Sequence, residues 1–225
     1  MQAIVSVDPF RTPTKKGRGI TVALSVLAVL LGALFVASWL LFSDPYAGRG
    51  LEDVSPSGRL AETFLKSAVA QQECSFTPEE VNPFLAYAFR KTGAGEEKRG
   101  VKLLAVAVAG SSGDSADVYV PLEYRGKRFG VLMNVTPSLD EADGRLLFRV
   151  NGVHVGRLPV PVGKALSLAE SRLPEGFSLS GNTIYCAEPT ASASVSFLSA
   201  SVKLGKFRIE NGALKLSAVT EISIG

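Results

Sequence analysis

The hydrophobic pattern changes character three times along the chain. Residues 19–42, GITVALSVLAVLLGALFVASWLLF, form an unbroken apolar run of twenty-four residues without a charge. Residues 58–73 then show a helical period, with Leu60, Phe64, Leu65, Ala68 and Val69 on one face. In "SFTPEEVNPFLAYAFRKTG", Thr77 and Glu80 have the spacing of a capping box, and Pro78 suits a first helical residue. Asn82-Pro83 offers a second possible start. Phe84, Leu85, Ala88 and Phe89 supply the apolar face, and Gly93 the stop.

From residue 100 the period becomes two. Strands are expected at 101–109, 116–124, 128–136, 145–150 and 153–158, and then at 177–186, 192–204, 206–210 and 213–224. Gly126-Lys127, "DEADG" (140–144), Asn151-Gly152 and Asn211-Gly212 read as turns between them. A helix is expected at 162–173, with Val162, Ala165, Leu166, Ala169 and Leu173 on one side. The pattern predicts an α+β fold: a single transmembrane helix, then a curved, largely antiparallel β-sheet domain with two preceding helices and one inserted helix.

As a helix, the apolar run would be about 36 Å long, enough for a ~30 Å hydrocarbon core. A signal peptide has a shorter apolar region, about 7–15 residues, ending in small residues. This run ends in Trp39, Leu40, Leu41 and Phe42, and Trp39 suits a membrane interface. An uncleaved anchor is therefore expected. Arg11, Lys15, Lys16 and Arg18 precede it against one Asp8, whereas Asp44, Arg49, Glu52 and Asp53 follow. The positive-inside rule predicts a cytoplasmic tail at 1–18, a transmembrane helix at 19–42, a polar linker at 43–57 and an extracytoplasmic domain at 58–225.

This division changes the meaning of the +3 net charge, which belongs to the tail. The remainder carries 20 basic and 20 acidic residues. A neutral domain lacks the basic clusters that nucleic-acid binding needs, so no nucleic-acid partner is expected. The two cysteines, Cys74 and Cys186, both follow the span. Outside the cytoplasm they are a possible disulfide; two buried free thiols are the alternative.

"VGRLPVPVGKALSLAESRLPEG" (155–176) raises the question of phosphate binding, since Gly163-Lys164 opens a helix. A P-loop needs Gly-x-x-x-x-Gly-Lys-Ser/Thr. Here Ala165 follows the lysine and Gly156 stands seven positions before Gly163. Pro159 and Pro161 also remove two N–H donors. The stretch reads instead as a strand exit, a short helix and a return.

His154 is the one histidine and lies within a strand pattern, without a nucleophile motif to serve. A second histidine for a metal site is missing. "DEADG" lacks EF-hand spacing, although an all-carboxylate calcium site stays open. "GEEKRG" (95–100) is a mixed-charge loop, and Asn134-Val135-Thr136 fits a glycosylation acceptor inside a strand pattern. No catalytic, cofactor-binding or metal residue is assigned, and no enzyme is expected.

"VGRLPVP", the short helix after it, "LPEGFSLSGNTIY" and "FTPEEVNPFLAYAF" together resemble the YpmS-like family of bacterial membrane-anchored proteins, over most of residues 58–190. The resemblance implies an N-terminal anchor with an exported β-rich domain, and no functional residues to carry over. The expected function is a non-enzymatic structural or interaction module of the cell envelope, with an envelope protein as partner. The alternative is binding of a lipid or other apolar ligand in a tubular lipid-binding-like cavity. A large apolar cavity would favour the alternative, and a solid core the module.

Overall fold

The structure is a computed structural model that describes residues 16–92, 95, 97, 100–140, 143–170, 173, 176–186, 191–195 and 198–224. Among these residues it has four helices and antiparallel sheet structure that curls as a half-barrel, the α+β class the pattern predicts. The chain divides into two compact units, Met1–Trp39 and Leu40–Gly225.

The first unit is dominated by α1 (Lys16–Phe42), which continues into the second. Among the described residues it is the one helix long and apolar enough to cross a membrane, through its segment Ser25–Phe42. That segment is not buried within the protein, so its apolar side chains have no protein core to account for them.

In the second unit, α2 (Arg59–Val69) leads through β1 (Cys74–Phe76) to α3 (Pro78–Lys91). Helix α3 begins as expected. Thr77 caps it, the Thr77 N–H donates to Glu80 Oε2 at 2.9 Å, and Pro78 opens the first turn. Asn82-Pro83 starts nothing; both residues lie inside α3. The core face of α2 is narrower than the pattern implied. Leu60, Phe64 and Ala68 face inward, while Leu65 and Val69 are exposed, Val69 by 82%. Gly93 lies outside the described residues.

The strands are β2 (Val101–Leu103), β3 (Ala107–Ser112), β4 (Ser115–Tyr124), β5 (Lys127–Leu139), β6 (Leu146–Val155) and β7 (Leu158–Val160). After α4 (Val162–Glu170) come β8 (Phe177–Ser180), β9 (Thr183–Cys186), β10 (Ala191–Val195), β11 (Leu198–Glu210) and β12 (Ala213–Ile224). One sheet runs β2-β4-β5-β6-β9-β8, with β3 also on β4 and β7 also on β6; the other runs β1-β12-β11-β10. Phe148 on β6 meets Phe207 on β11 edge to face at 5.7 Å, which joins the two sheets.

Two departures from the pattern have local causes. The expected strand 101–109 is split because Leu104–Val106 bulge opposite Val120 and Pro121. Pro121 has no N–H for the ladder, so only its carbonyl is used there, by the Leu104 N–H. Asn151-Gly152 is not a hairpin but a bulge inside β6. Gly152 pairs with Asn134 and Val150 with Val135, leaving Asn151 as the extra residue. Its side chain donates to Asn134 Oδ1 and Thr136 Oγ1. The chain reverses instead at Gly156-Arg157, between β6 and β7.

The core has two centres. Cys74, Phe76, Val81 and Leu216 gather Leu60, Phe64, Leu85 and Phe207 around them. Val150, Val153 and Leu166 gather Val131, Met133 and Ile184 under α4.

Candidate functional site at the end of the apolar helix

The segment after α1 turns at once and packs on the sheet. Asp44-Pro45 is a strong turn opener, and Asp44 Oδ1 accepts the Tyr46 N–H at 2.9 Å. Gly48 and Gly50 take positive φ, +77° and +73°, which folds 45–53 into consecutive turns. The segment read as a linker is thereby held against β4 and β5.

Its anchor point is Tyr119. The side chain is only 1% exposed, and its hydroxyl donates to Asp44 Oδ2 at 2.6 Å. Burial, reinforced by the adjacent Asp44 carboxylate, raises the phenol well above its usual range, so it stays protonated and stays a donor. The Tyr46 ring lies on the Tyr119 ring at 5.4 Å, and Arg49 stacks on Tyr46 at 4.6 Å. Gly130 on β5 makes the arrangement possible. A Cβ there would lie 2.5 Å from Asp44 Oδ2 and 2.6 Å from the Tyr119 ring.

A second clasp holds the last turn of α1. Helix C-terminal carbonyls have no intrahelical donors. The Leu40 carbonyl accepts the Arg157 N–H at 2.9 Å, and the neighbouring Gly156 N–H donates to the Gly130 carbonyl at 2.7 Å. Gly156 has φ +61° and is buried; a Cβ on it would collide with the Leu40 and Leu41 carbonyls. Only glycine meets both demands. Lys127 Nζ sits 5.1 Å from the centre of the Phe42 ring, and Arg128 pairs with Glu52 at 3.4 Å.

Between these clasps lies an open cleft of about 580 Å³. Phe42, Leu51, Pro121 and Phe129 give it apolar walls, while Asp44, Glu52, Asp53 and Arg128 give it charge. Asp44 and Tyr119 are spent on each other, which leaves this pair a fastening rather than an acid–base couple. No group of three or more His, Cys, Asp or Glu positioned for a metal occurs among the described residues.

The residues singled out in the sequence lie elsewhere. Cys74 and Cys186 are free thiols on different sheets. Cys74 is buried in the first core centre and its Sγ donates to the Leu216 carbonyl. Cys186 is half-buried at the end of β9, opposite Leu146 and Phe177. Burial raises both thiols above the ordinary cysteine value. His154 is exposed on β6, opposite in face to buried Val153. Lys164 is exposed on α4, whose first turn includes the Ala165 N–H bonded to the Pro161 carbonyl.

Asp44, Tyr119, Gly130 and Gly156 carried no motif in the sequence. The one available signal was Asp44-Pro45, one residue past the apolar run, a pair that opens a turn. No protein-family model, curated protein or solved structure matches the chain.

Proposed function

We propose that this chain is a single-pass membrane protein whose α+β domain is a non-enzymatic interaction module of the cell envelope, with the N-terminus cytoplasmic and the domain extracytoplasmic. One observation carries the reading: the last turn of the apolar helix is built into the domain, through Leu40 to Arg157 and Asp44 to Tyr119. A domain on a slack tether explores the space above a bilayer. Fastening at Leu40 and Asp44 shortens the free chain between the apolar helix and the sheet, which suits a part that works beside its own membrane anchor. The resemblance to the YpmS-like family supports the same topology.

An acyl-chain sleeve has less support. The cleft has three carboxylates and an arginine in its walls, and lies beneath the 43–53 segment. Apolar tails gain from apolar walls and lose where charges must be desolvated.

The test is protease added to intact spheroplasts that carry the full chain. The reading expects removal of the region after Ser43, with the apolar helix retained in the membrane fraction. A domain cut only after lysis would overturn the orientation, and a chain recovered in the soluble fraction would overturn the anchor.

A further inference from the structure

At the end of the apolar helix three exposed cations of the domain stand outside the ion pairs of the described residues. Two hairpin turns sit there. The β4–β5 turn, Arg125-Gly126, has φ of +51° and +76° and is followed by Lys127 and Arg128. The β6–β7 turn is Gly156-Arg157, fastened to Leu40. Arg125, Lys127 and Arg157 are exposed, and among the described residues none is ion-paired with a carboxylate. Arg125 lies over Tyr124 at 5.2 Å and Lys127 over Phe42 at 5.1 Å, so each cation rests on an aromatic ring. Four carboxylates lie nearby, and one of them, Glu52, is in an ion pair. Asp44 accepts from Tyr119 and from the Tyr46 N–H, Glu52 pairs with Arg128, and Glu123 stands opposite Arg128 in the ladder; Asp53 lines the cleft.

Phe42 closes the membrane-length apolar segment. A bilayer adds about 5–8 Å of headgroup on each side of its hydrocarbon core. With Phe42 set at the hydrocarbon boundary, a lysine nitrogen 5.1 Å from its ring falls inside that layer. Basic side chains beside aromatic rings at this depth are suited to lipid phosphodiesters.

We propose that Arg125, Lys127 and Arg157 form a collar that binds the headgroups of anionic lipid in the leaflet where the helix ends. This rests on the reading of α1 as a membrane span. The collar fixes how close the domain approaches the bilayer, and makes that approach depend on lipid charge and on salt.

The experiment uses the full, isotope-labelled chain in nanodiscs of phosphatidylcholine alone, and of phosphatidylcholine with rising phosphatidylglycerol. Backbone amide resonances of Gly126, Lys127 and Arg157 are followed, because the basic N-terminal tail also attracts anionic lipid and must be separated by position. The proposal expects saturable shifts at these amides, reversed by high salt. Lys127→Ser should weaken the apparent phosphatidylglycerol affinity read at Arg157 by about fivefold, equivalent to ~1 kcal/mol, and Lys127→Arg should retain it. Shifts confined to the tail, with the turns unchanged and the amides of Ser25–Phe42 protected from exchange, would overturn the collar and leave the span intact. Unprotected amides across Ser25–Phe42 in either nanodisc would overturn both.

Discussion

The Tyr119 hydroxyl donates to Asp44 Oδ2 at 2.6 Å and so ties the first turn after the apolar helix to the middle of β4. The pair is buried on the tyrosine side and charged on the aspartate side, the combination in which a hydrogen bond contributes most. Tyr119→Phe keeps the ring and removes only the donor. It should lower the stability of the full chain in detergent by about 2 kcal/mol in denaturant unfolding. A loss below about 0.5 kcal/mol would show that the bond is not a structural one.

The same pair has a pH signature. The folded-state pKa of Tyr119 is raised, chiefly by burial and then by Asp44, above an unfolded value of about 10. The folded state therefore holds this proton more tightly. Its contribution to stability is complete below about pH 10 and is lost as pH rises toward the folded pKa. Wild type and Tyr119→Phe should thus differ most near neutrality and converge in alkali. A constant difference up to about pH 11 would contradict the assignment.

Gly156 and Gly126 both have positive φ, +61° and +76°, but different surroundings. Around Gly126 the space is open, whereas a Cβ on Gly156 meets the Leu40 and Leu41 carbonyls. Gly126→Ala should cost about 1 kcal/mol, the backbone conformation alone. Gly156→Ala should cost about 3 kcal/mol or more, because the last turn of α1 must move as well. Equal losses in thermal unfolding would mean that the close approach is unimportant.

Asn82 works as a strand on the side of a helix. Its carboxamide accepts the Val108 N–H at 2.7 Å and donates to the Val108 carbonyl at 3.0 Å, which fixes α3 to β3. Asn82→Leu preserves size and orphans both backbone groups. About 2–3 kcal/mol of stability should be lost, with faster amide exchange at Val108. Unchanged exchange there would refute the role.

Cys74 and Cys186 are free, and burial raises both thiols. Protein unfolded without reductant should titrate two thiols. In the folded chain at neutral pH, iodoacetamide should react with both more slowly than with free cysteine. A count of zero thiols would establish the bridge instead.

The helices and most strands were legible because their signals are local. Thr77, Pro78 and Glu80 define the start of α3 within four residues, and the alternation in 116–124 and 128–136 gave β4 and β5 nearly to their ends. Errors arose where a local signal was overruled by a partner strand. Asn151-Gly152 has hairpin chemistry, yet β5 continues alongside and absorbs the extra residue as a bulge. The site was illegible for a related reason. Asp44 and Tyr119 meet only because β4 passes beneath the segment after α1, and Gly156 matters only because Leu40 and Leu41 press on it. Neither glycine nor tyrosine announces such a neighbour in a single sequence. Arg125, Lys127 and Arg157 were hidden in the same way: they are distant from the span in sequence, and overall neutrality concealed them.

The last turn of α1 is held as part of the domain by the Leu40–Arg157 hydrogen bond. Amide hydrogen exchange of the full chain in nanodiscs tests this at two adjacent residues. The Gly156 N–H bonds within the sheet to Gly130, whereas the Arg157 N–H bonds to Leu40. If the clasp holds, Arg157 should be protected about as strongly as Gly156, both opening with the domain. Strong protection at Gly156 with free exchange at Arg157 would show an intact sheet beside an undocked helix end, and would contradict the account.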